Sequence, residues 1–279
     1  MYFLNINKPL GITSFDVIKV LRKKLKTKKI GHSGTLDPLA TGVMQVAVGD
    51  ATKLLDYLDS DKTYVATFKL GYVTDTYDAE LEPKFVKAPN ISKDELIKVL
   101  NSFVGISEQI PPKYSAIKQN GKKLCDLARN NIDIDIKPRA IEIYSIKLLE
   151  FNDYDLVKIE VRCKKGTYIR SLVNDIGLKI GCGAFLTELI RTQAGSFKFE
   201  NSNSLDKDEY TKIDPISAIN LPKIEISNSE LEAIFNGNFI ENKTKLNDCK
   251  ILLTYNKILV SIAEISDNLI KPKKNFKRI

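Results

Sequence analysis

A short stretch near the amino terminus, GHSGTLDPLATG at residues 31–42, combines the residue types that a catalytic loop needs. It contains the chain's only histidine, His32, and one carboxylate, Asp37, among hydroxyl groups and three glycines. The glycines let the backbone approach a ligand closely, and Pro38 restrains Asp37 to an extended conformation. The pattern predicts an active-site loop, although an ordinary turn in which Asp37 bonds to its own backbone would use the same residue types.

A second stretch with chemical potential is CKKGTYIR at residues 163–170. It follows a predicted strand, turns at its glycine and enters a predicted helix, with Thr167 expected as the helix cap. Tyr168 and Arg170 would then lie in the first helical turn. Because a helix amino terminus attracts anions and three cations accumulate here, the segment is predicted to hold a phosphate or a buried carboxylate.

The periodicity of apolar residues indicates the elements that must position these two stretches. The predicted strands cover residues 2–6, 42–48, 63–70, 139–151 and 156–163. The predicted helices begin at Ser14, which is expected as the cap of the first helix, at Thr52, at Ser92, which opens a capping box, and at Thr167. A further short helix is predicted over residues 121–129. Tyr64 opens the third strand, where a tyrosine usually serves packing.

The first predicted helix and the segment that follows it carry a basic run of seven Lys and Arg residues between 19 and 29. This run leads directly into the loop at residues 31–42. It could be an ordinary solvated face, or it could steer a phosphate-rich ligand toward that loop.

Composition indicates a globular protein with a basic surface. The chain has 279 residues, a net charge of +8 and a sequence pI near 9.1, which suits a polyanionic partner. Its four cysteines form no Cys-x-x-Cys pair and it has one histidine, so we expect reduced thiols and no zinc site. The amino terminus does not resemble a signal peptide and no stretch of eighteen apolar residues occurs, so a cytoplasmic protein with no membrane contact is expected.

The chain is expected to divide near Leu221 into a large and a small unit. Residues 222–279 contain one amphipathic segment and alternating runs typical of strands. They end in the basic sequence KPKKNFKR at residues 271–278. This pattern predicts a small β-rich barrel with a cationic tail.

Three ordered segments together resemble the TruB family of tRNA pseudouridine synthases. They are NKPLGITS at residues 7–14, the loop GHSGTLDPLATG, and KKGTYIR at residues 164–170. Further agreeing segments are KTY at 62–64, LG at 70–71, TDT at 74–76, QIPPKYSA at 109–116 and GCGA at 181–184. The resemblance covers roughly the first 200 residues. The family often has Asp where this chain has Asn7.

The resemblance implies an enzyme that isomerises uridine 55 in the T-loop of tRNA to pseudouridine by base flipping, with no cofactor or metal. The implied fold is α+β: a mixed-sheet pseudouridine synthase catalytic domain at residues 1–221 and a small PUA-like RNA-binding domain at residues 222–279. The implied partner is the tRNA T-stem-loop. A monomer with no obligatory protein partner is expected.

The resemblance also assigns roles residue by residue. The catalytic residues would be Asp37, Tyr64 and Arg170. The substrate-contacting residues would be His32, Tyr64, Tyr168, Leu189 and Lys8. Asp37 would act as nucleophile at C1′ of the ribose or as the base that removes a ribose proton, and both roles remain open. Arg170 would pair with Asp37 and keep the pKa of that carboxyl low.

Two remaining roles are less specific. Tyr64 would stack on the target base and is the best candidate for the base that removes the C5 proton. His32 could hydrogen-bond a phosphate near the flipped nucleotide, or it could be a neutral histidine that ties its own loop together.

Other functions were weighed against this interpretation. A non-catalytic tRNA-binding or folding chaperone would need only the basic surface, but a bare carboxylate among cations disfavours RNA binding unless it reacts. The protein component of a guide-RNA-directed pseudouridine complex would carry similar motifs, usually with terminal extensions that are not expected here. A phosphate-ester hydrolase is disfavoured because no second acidic residue or metal-binding set accompanies Asp37.

Overall fold

A computed structural model describes residues 1–115, 118–119, 122–124, 135–152 and 155–276. In these ranges the strands are β1 (Tyr2–Lys8), β2 (Ile30–Ser33), β3 (Ala40–Val48), β4 (Lys62–Leu70), β5 (Tyr72–Val73), β6 (Lys84–Phe85), β7 (Gly105–Gln109), β8 (Lys118–Gln119), β9 (Lys122–Lys123), β10 (Arg139–Asn152), β11 (Leu156–Cys163), β12 (Ala184–Ala194), β13 (Phe197–Lys198), β14 (Asn203–Ser204), β15 (Lys223–Glu225), β16 (Ile240–Glu241), β17 (Lys250–Tyr255), β18 (Ile258–Ser266) and β19 (Leu269–Asn275). The helices are α1 (Ser14–Lys24), α2 (Lys93–Asn101), α3 (Ile169–Ile180), α4 (Pro215–Ala218) and α5 (Asn228–Phe235), with 3₁₀ helices at Gly49–Tyr57 and Phe199–Asn201.

The larger sheet is mixed, which confirms the expected fold class. Its strand order is β14-β1-β3-β12-β4-β11-β10-β7, with β2 beside β3 and β13 beside β12. Most neighbours are antiparallel, but β12 runs parallel to β3 and β14 runs parallel to β1. All five strands predicted ahead of residue 170 are present, with ends shifted by at most two residues.

Strand β12 brings the loop at residues 31–42 close to the segment at residues 163–170. On one side it pairs with β3, placing Leu189 opposite Ala40, at the point where the predicted active-site loop ends. On its other side it pairs with β4, placing Arg191 opposite Tyr64. Helix α3 buries Leu172, Val173 and Ile176 in the same core as Leu186 and Leu189 of β12. Its apolar face therefore fixes the start of that helix near the loop.

The first helix is capped by Thr13, so the prediction that Ser14 is the cap was wrong. Thr13 has an extended backbone, and its hydroxyl accepts a hydrogen bond from the Asp16 backbone N–H. The Asp16 carboxylate in turn accepts a hydrogen bond from the Thr13 backbone N–H. Ser14 is buried inside the first turn and binds Leu36 instead. The spacing of three positions from Thr13 to Asp16 is the signal for this capping box.

Helix α3 lacks the cap that the sequence predicted. Its capping residue is Tyr168, which makes no side-chain capping bond. The Thr167 hydroxyl donates to the Lys164 carbonyl oxygen and so closes the preceding turn. The helix predicted over residues 121–129 does not begin where expected, because Lys122–Lys123 form β9; residues 125–129 lie outside the described residues.

The carboxy-terminal strands form a separate sheet in the order β15-β17-β18-β19-β16. The basic sequence predicted to be a tail forms β19 up to Asn275, where it pairs antiparallel with β18. Leu252, Leu259 and Ile262 of this sheet share a core with Leu54. The small sheet is thus packed against residues that precede the predicted boundary at Leu221.

Two further expectations concern features of the whole chain. Within the described ranges, no helix is long and apolar enough to cross a membrane. Cys163, Cys182 and Cys249 are free thiols, and Cys125 lies outside the described residues.

Candidate active site

Asp37 lies in the short turn between β2 and β3, and three elements hold this turn. The Ala40 backbone N–H donates to the Asp37 carbonyl oxygen at 3.0 Å, and the Gly11 N–H donates to the Pro38 carbonyl oxygen at 2.9 Å. Ser14 of α1 both donates to and accepts from the Leu36 backbone, at 3.0 and 2.8 Å. Since the turn is bonded on both sides of Asp37, its carboxylate is presented from a fixed backbone.

Lys8 is buried beneath the same turn. Its ammonium donates to the carbonyl oxygens of Pro9 at 2.9 Å, Pro38 at 3.4 Å and Ala40 at 2.7 Å. Burial lowers the pKa of Lys8 to about 8, although the negative charge of Asp37 opposes this shift. The side chain has no exposed surface, so the structure places this predicted substrate contact behind the loop, where it supports the backbone.

Arg170 forms an ion pair that links the segment at residues 163–170 to the loop at residues 31–42. Its Nη2 lies 3.0 Å from Asp37 Oδ2, and its Nη1 lies 3.2 Å from Asp78 Oδ2. The two nitrogens also donate to the carbonyl oxygens of Thr76 at 3.2 Å and Tyr114 at 3.0 Å. The guanidinium is thus held by four acceptors and cannot rotate without breaking several bonds.

The Asp37 carboxylate is the accessible member of this group. Asp37 is 40% exposed, whereas Arg170 is 4% and Asp78 is 2% exposed. Loss of hydration raises the pKa of the Asp37 carboxyl above its ordinary value, and Asp78 adds to the shift while Arg170 opposes it. The prediction that Arg170 would keep this pKa low was wrong in its net direction, because loss of hydration outweighs the effect of the guanidinium, which is also shared with a second carboxylate.

An open cleft of about 460 Å³ lies in front of Asp37. Its walls come from the active-site loop, the segment after the 3₁₀ helix, strand β4, the start of α3 and strand β12, which contribute Ser33, Gly34, Thr35, Leu36, Asp37, Leu55, Asp56, Leu58, Ser60, Lys62, Tyr64, Ser115, Lys165, Gly166, Thr167, Tyr168, Ile169, Arg170 and Leu189. This volume is within the range of small-ligand sites. Across the part of the chain that the structure describes, no group of His, Cys, Asp and Glu is arranged to hold a metal ion.

Tyr64 and Leu189 form an apolar part of the cleft wall. Both are 7% exposed, and Leu189 of β12 lies opposite Ala66 of β4, two residues after Tyr64. Burial raises the pKa of the Tyr64 hydroxyl, while the neighbouring Arg191 guanidinium lowers it. The tyrosine is therefore a neutral, largely covered ring with one surface toward the cleft.

Tyr168 also lines the cleft, and its backbone is fixed by a residue that the sequence analysis did not single out. The Gln109 side chain donates to the Tyr168 carbonyl oxygen at 3.0 Å and accepts from its N–H at 2.8 Å. These two hydrogen bonds tie the end of β7 to the residue that precedes α3. Burial raises the pKa of the Tyr168 hydroxyl above its ordinary value, and the nearby Ser115 and Arg139 side chains oppose this shift.

His32 lies on β2, one residue before the first residue of the loop that lines the cleft. It is half-buried, and its Nδ1 has no hydrogen-bond partner in the described ranges. Burial lowers the pKa of this imidazole, and the charge of Arg191 adds to that shift. The ring is therefore neutral at neutral pH, and the geometry leaves both predicted uses of His32 open.

Asp78 and Arg191 are two buried charged residues of the site that were not predicted from the sequence. Asp78 lies between β5 and β6, two residues after the TDT segment at 74–76. Arg191 is completely buried, and it donates from Nε to the Val43 carbonyl oxygen at 2.7 Å and from Nη2 to the Gly34 carbonyl oxygen at 3.1 Å. An arginine within an apolar strand is itself a signal, since such a charge is rarely buried without a use.

Comparison with known proteins agrees with this geometry. Residues 22–169 match the model of the TruB family pseudouridylate synthase N-terminal domain, and residues 170–211 match that of the tRNA pseudouridylate synthase B C-terminal domain. The second match begins at Arg170 and includes α3 and β12, so it contributes to the larger sheet and precedes the small one.

Relatives and solved structures extend the likeness over the whole chain. The tRNA pseudouridine synthase B of Clostridium novyi (strain NT) is 52% identical over 205 residues, which are 73% of this chain and 71% of that protein. The tRNA pseudouridine synthase B of Syntrophomonas wolfei is 41% identical over 295 positions, covering 99% and 98%. A chain of a Cbf5-Nop10-Gar1 complex matches with 26% identity and a TM-score of 0.74, over 99% of this chain and 85% of that one. The chain therefore belongs to the TruB family and is a pseudouridine synthase.

Proposed function

We propose that this enzyme isomerises uridine 55 in the T-loop of tRNA to pseudouridine. The reaction breaks the bond from N1 to C1′, turns the uracil, forms a bond from C5 to C1′ and releases the C5 proton. The observation that carries the proposal is the half-exposed Asp37 carboxylate, held by the buried Arg170 at 3.0 Å on the wall of a cleft of about 460 Å³. The names of the curated relatives support tRNA as the substrate.

Uridine 55 is enclosed in the folded T-loop, so the base must first leave its stack. Base eversion costs a few kcal/mol, which contacts in the enzyme's pocket must offset. The ring of Tyr64 and the side chain of Leu189 offer an apolar wall on which the uracil can stack. Tyr168, which lines the cleft, and His32, on the strand that leads into the loop, are proposed to contact the everted nucleotide.

Asp37 acts in its ionised form. It either attacks C1′ as a nucleophile or removes a ribose proton to give a glycal-like intermediate. Arg170 orients the carboxylate in both cases, and Asp78 orients Arg170. Because loss of hydration raises the pKa of Asp37, the ionised form is more basic and more reactive than an ordinary surface aspartate.

The final step needs an acceptor for the C5 proton, and we assign it to the Tyr64 hydroxyl. Burial keeps the pKa of this group above its ordinary value, so the hydroxyl is protonated at neutral pH. Arg191 acts against that shift and so favours the phenolate, the form that can accept a proton. The hydroxyl releases its proton as N1 of the uracil takes one up, and the phenolate then takes the C5 proton and is protonated again. Lys8 has no surface in the cleft, and its part is to hold the turn that presents Asp37.

We further propose that the chain has the two domains expected from the sequence, with different functions. Residues 1–221 form the catalytic domain, and residues 222–279 form a PUA-like domain that contacts the tRNA. Supporting the second assignment, Lys250 and Lys274 both lie over the ring of Tyr57, at 5.5 and 5.0 Å from its centre. Two cations on one aromatic ring make a surface suited to a phosphate backbone. The enzyme is proposed to act in the cytoplasm as a monomer.

The test is to incubate the protein with an unmodified tRNA transcript, without added metal or cofactor, and to map pseudouridine at nucleotide resolution. Pseudouridine at position 55 alone is the expected result, and a transcript with cytidine at that position should remain unmodified. A protein that binds the transcript and leaves every uridine unchanged would instead be a tRNA-binding or folding chaperone. Modification elsewhere with position 55 untouched would overturn the assigned substrate position.

A further inference from the structure

The cleft contains a cation that the reaction described so far does not use. Lys62, the first residue of β4, lines the cleft two residues before Tyr64. Its ammonium donates to the Ser60 carbonyl oxygen at 2.9 Å. Since an ammonium carries three protons, two remain for another acceptor. No ion pair within the described ranges includes Lys62 or Lys165, which lines the same cleft.

Lys62 is held close to a second unneutralised cation. A Cβ built on Gly34 would lie 3.0 Å from Lys62 Cε and 3.3 Å from Arg191 Nη1, so both side chains converge on the same loop residue. Arg191 Nη1 is buried without a hydrogen-bond partner in the described part of the chain. Burial lowers the pKa of Lys62 to about 8, and the charge of Arg191 adds to this, as does that of Lys165, while Cys163 and Asp61 oppose it.

Keeping two cations together where water is scarce opposes folding unless something anionic joins them. The location of Lys62 identifies the anion. Alternate residues of a strand point to one face about 7 Å apart, so Lys62 stands one side-chain position from Tyr64. A uracil stacked on Tyr64 would place the sugar-phosphate backbone of its own nucleotide at a similar distance from the ring.

We propose that Lys62 binds one of the two phosphodiesters that flank the target uridine and so fixes the everted nucleotide over Asp37. This inference rests on the proposed function, because it needs an RNA substrate. The phosphate would accept charge-assisted hydrogen bonds from the two unused ammonium protons. It would also neutralise the field of Lys62 and Arg191. Lys62 is thus a substrate-positioning contact, separate from the groups that act on the ribose and on C5.

The test combines a lysine variant with a neutral phosphate. The enzyme and Lys62→Met are assayed on a T-stem-loop RNA and on two RNAs that carry one methylphosphonate, either 5′ or 3′ of the target uridine. On the all-phosphate RNA, Lys62→Met should lower kcat/KM by at least about tenfold. On one of the two methylphosphonate RNAs, enzyme and variant should have equal kcat/KM. Lys69→Met, on the far end of the same strand and paired with Asp155 at 3.3 Å, serves as the matched control and should act like the unchanged enzyme.

A loss of activity of the same size on all three RNAs would show a structural role for Lys62 and overturn the proposal, as would no loss at all. If Lys62→Met does not fold, the unchanged enzyme supplies the answer. Its affinity for the all-phosphate RNA should fall as pH rises past about 8, where Lys62 loses its proton, and the sensitive methylphosphonate RNA should lack this step. The same step on all three RNAs would overturn the proposal, because Lys8, with a pKa of about 8, titrates there too and touches no phosphate. An enzyme inactive on the all-phosphate RNA would contradict the proposed function instead.

Discussion

Arg170 Nη1 lies 3.2 Å from Asp78 Oδ2, and both side chains are almost completely buried, at 4% and 2% exposed. The second nitrogen of the same guanidinium reaches Asp37 at 3.0 Å. Breaking a buried ion pair by removing one partner is strongly destabilising, so Asp78 locks Arg170 in place. Asp78 therefore controls the direction of the Asp37 carboxylate and, through its own negative charge, the pKa of that carboxyl.

Asp78→Asn should change both the rate and its pH dependence. Removing the Asp78 charge lowers the pKa of Asp37, so the acid limb of the profile of log kcat against pH should move to lower pH. The amide holds Arg170 less firmly, and the resulting misplacement should reduce kcat by about ten- to a hundredfold. Single-turnover rates between pH 4 and 8 would measure both effects.

The matched control is Asp75→Asn, which changes an exposed carboxylate on the same loop. This variant should keep both kcat and its pH dependence unchanged. An acid limb that stays in place in Asp78→Asn, with only kcat reduced, would remove the electrostatic part of this argument.

Asp37→Asn should abolish pseudouridine formation and leave tRNA binding largely intact, because the amide keeps the shape of the side chain and loses its charge. Its thermal stability at neutral pH should be equal or higher. A carboxyl whose pKa is raised on folding contributes stability at low pH that is lost as pH rises through the folded pKa. The amide removes that dependence. Turnover by the variant, or a melting temperature well below that of the enzyme, would contradict this account.

Strands and most helices of the catalytic part could be predicted from the sequence, because their signals are local. Alternation in residues 156–163 gave β11 with both its ends, and the capping box at Ser92 gave the start of α2. The order of the strands could not be predicted, since β12 pairs with strands more than a hundred residues away.

In the candidate site, too, the features that depend on local sequence could be predicted and those that depend on long-range contacts could not. Asp37 and Arg170 were singled out from their own segments, and the family resemblance paired them. The partnership of Asp78 with Arg170, the bond of Gln109 to Tyr168 and the burial of Lys8 all depend on long-range packing. Local composition carries no information about such contacts. The direction of the Asp37 pKa shift could not be predicted either, because it depends on burial and on the nearby Asp78.

Tyr64→Phe should let the base enter and then stall at the last step. The ring that forms the cleft wall is retained, so the affinity for RNA should be nearly unchanged. The hydroxyl that is proposed to receive the C5 proton is lost. With RNA carrying deuterium at C5 of the target uridine, the variant should form pseudouridine more slowly than with ordinary RNA. Full activity in this variant would exclude the hydroxyl as the base.

Removing residues 222–279 should weaken tRNA affinity more than it slows a single turnover at saturating RNA. The truncation should also lower the melting temperature, because Leu54 loses its contact with the core that Leu252, Leu259 and Ile262 complete. The full-length double variant Lys250→Gln, Lys274→Gln separates the two effects, since it leaves the apolar core of Leu54, Leu252, Leu259 and Ile262 intact. It should lose affinity and keep the melting temperature. Unchanged affinity in both proteins would exclude the small sheet as an RNA contact.

Lys8→Met should slow the reaction without weakening RNA binding, because Lys8 has no exposed surface and its ammonium holds the turn that carries Asp37. The variant leaves buried carbonyl oxygens without a hydrogen-bond donor, which should lower the free energy of unfolding by about 1–3 kcal/mol. Lys24→Met is the matched control: its ammonium also donates to two carbonyl oxygens, at 2.7 and 2.8 Å, but at an exposed position. Rapid-quench rates, RNA dissociation constants and thermal melts would be compared. Weaker RNA binding with an unchanged rate would instead return Lys8 to the role of a substrate contact, which the family resemblance implies and the burial of its ammonium argues against.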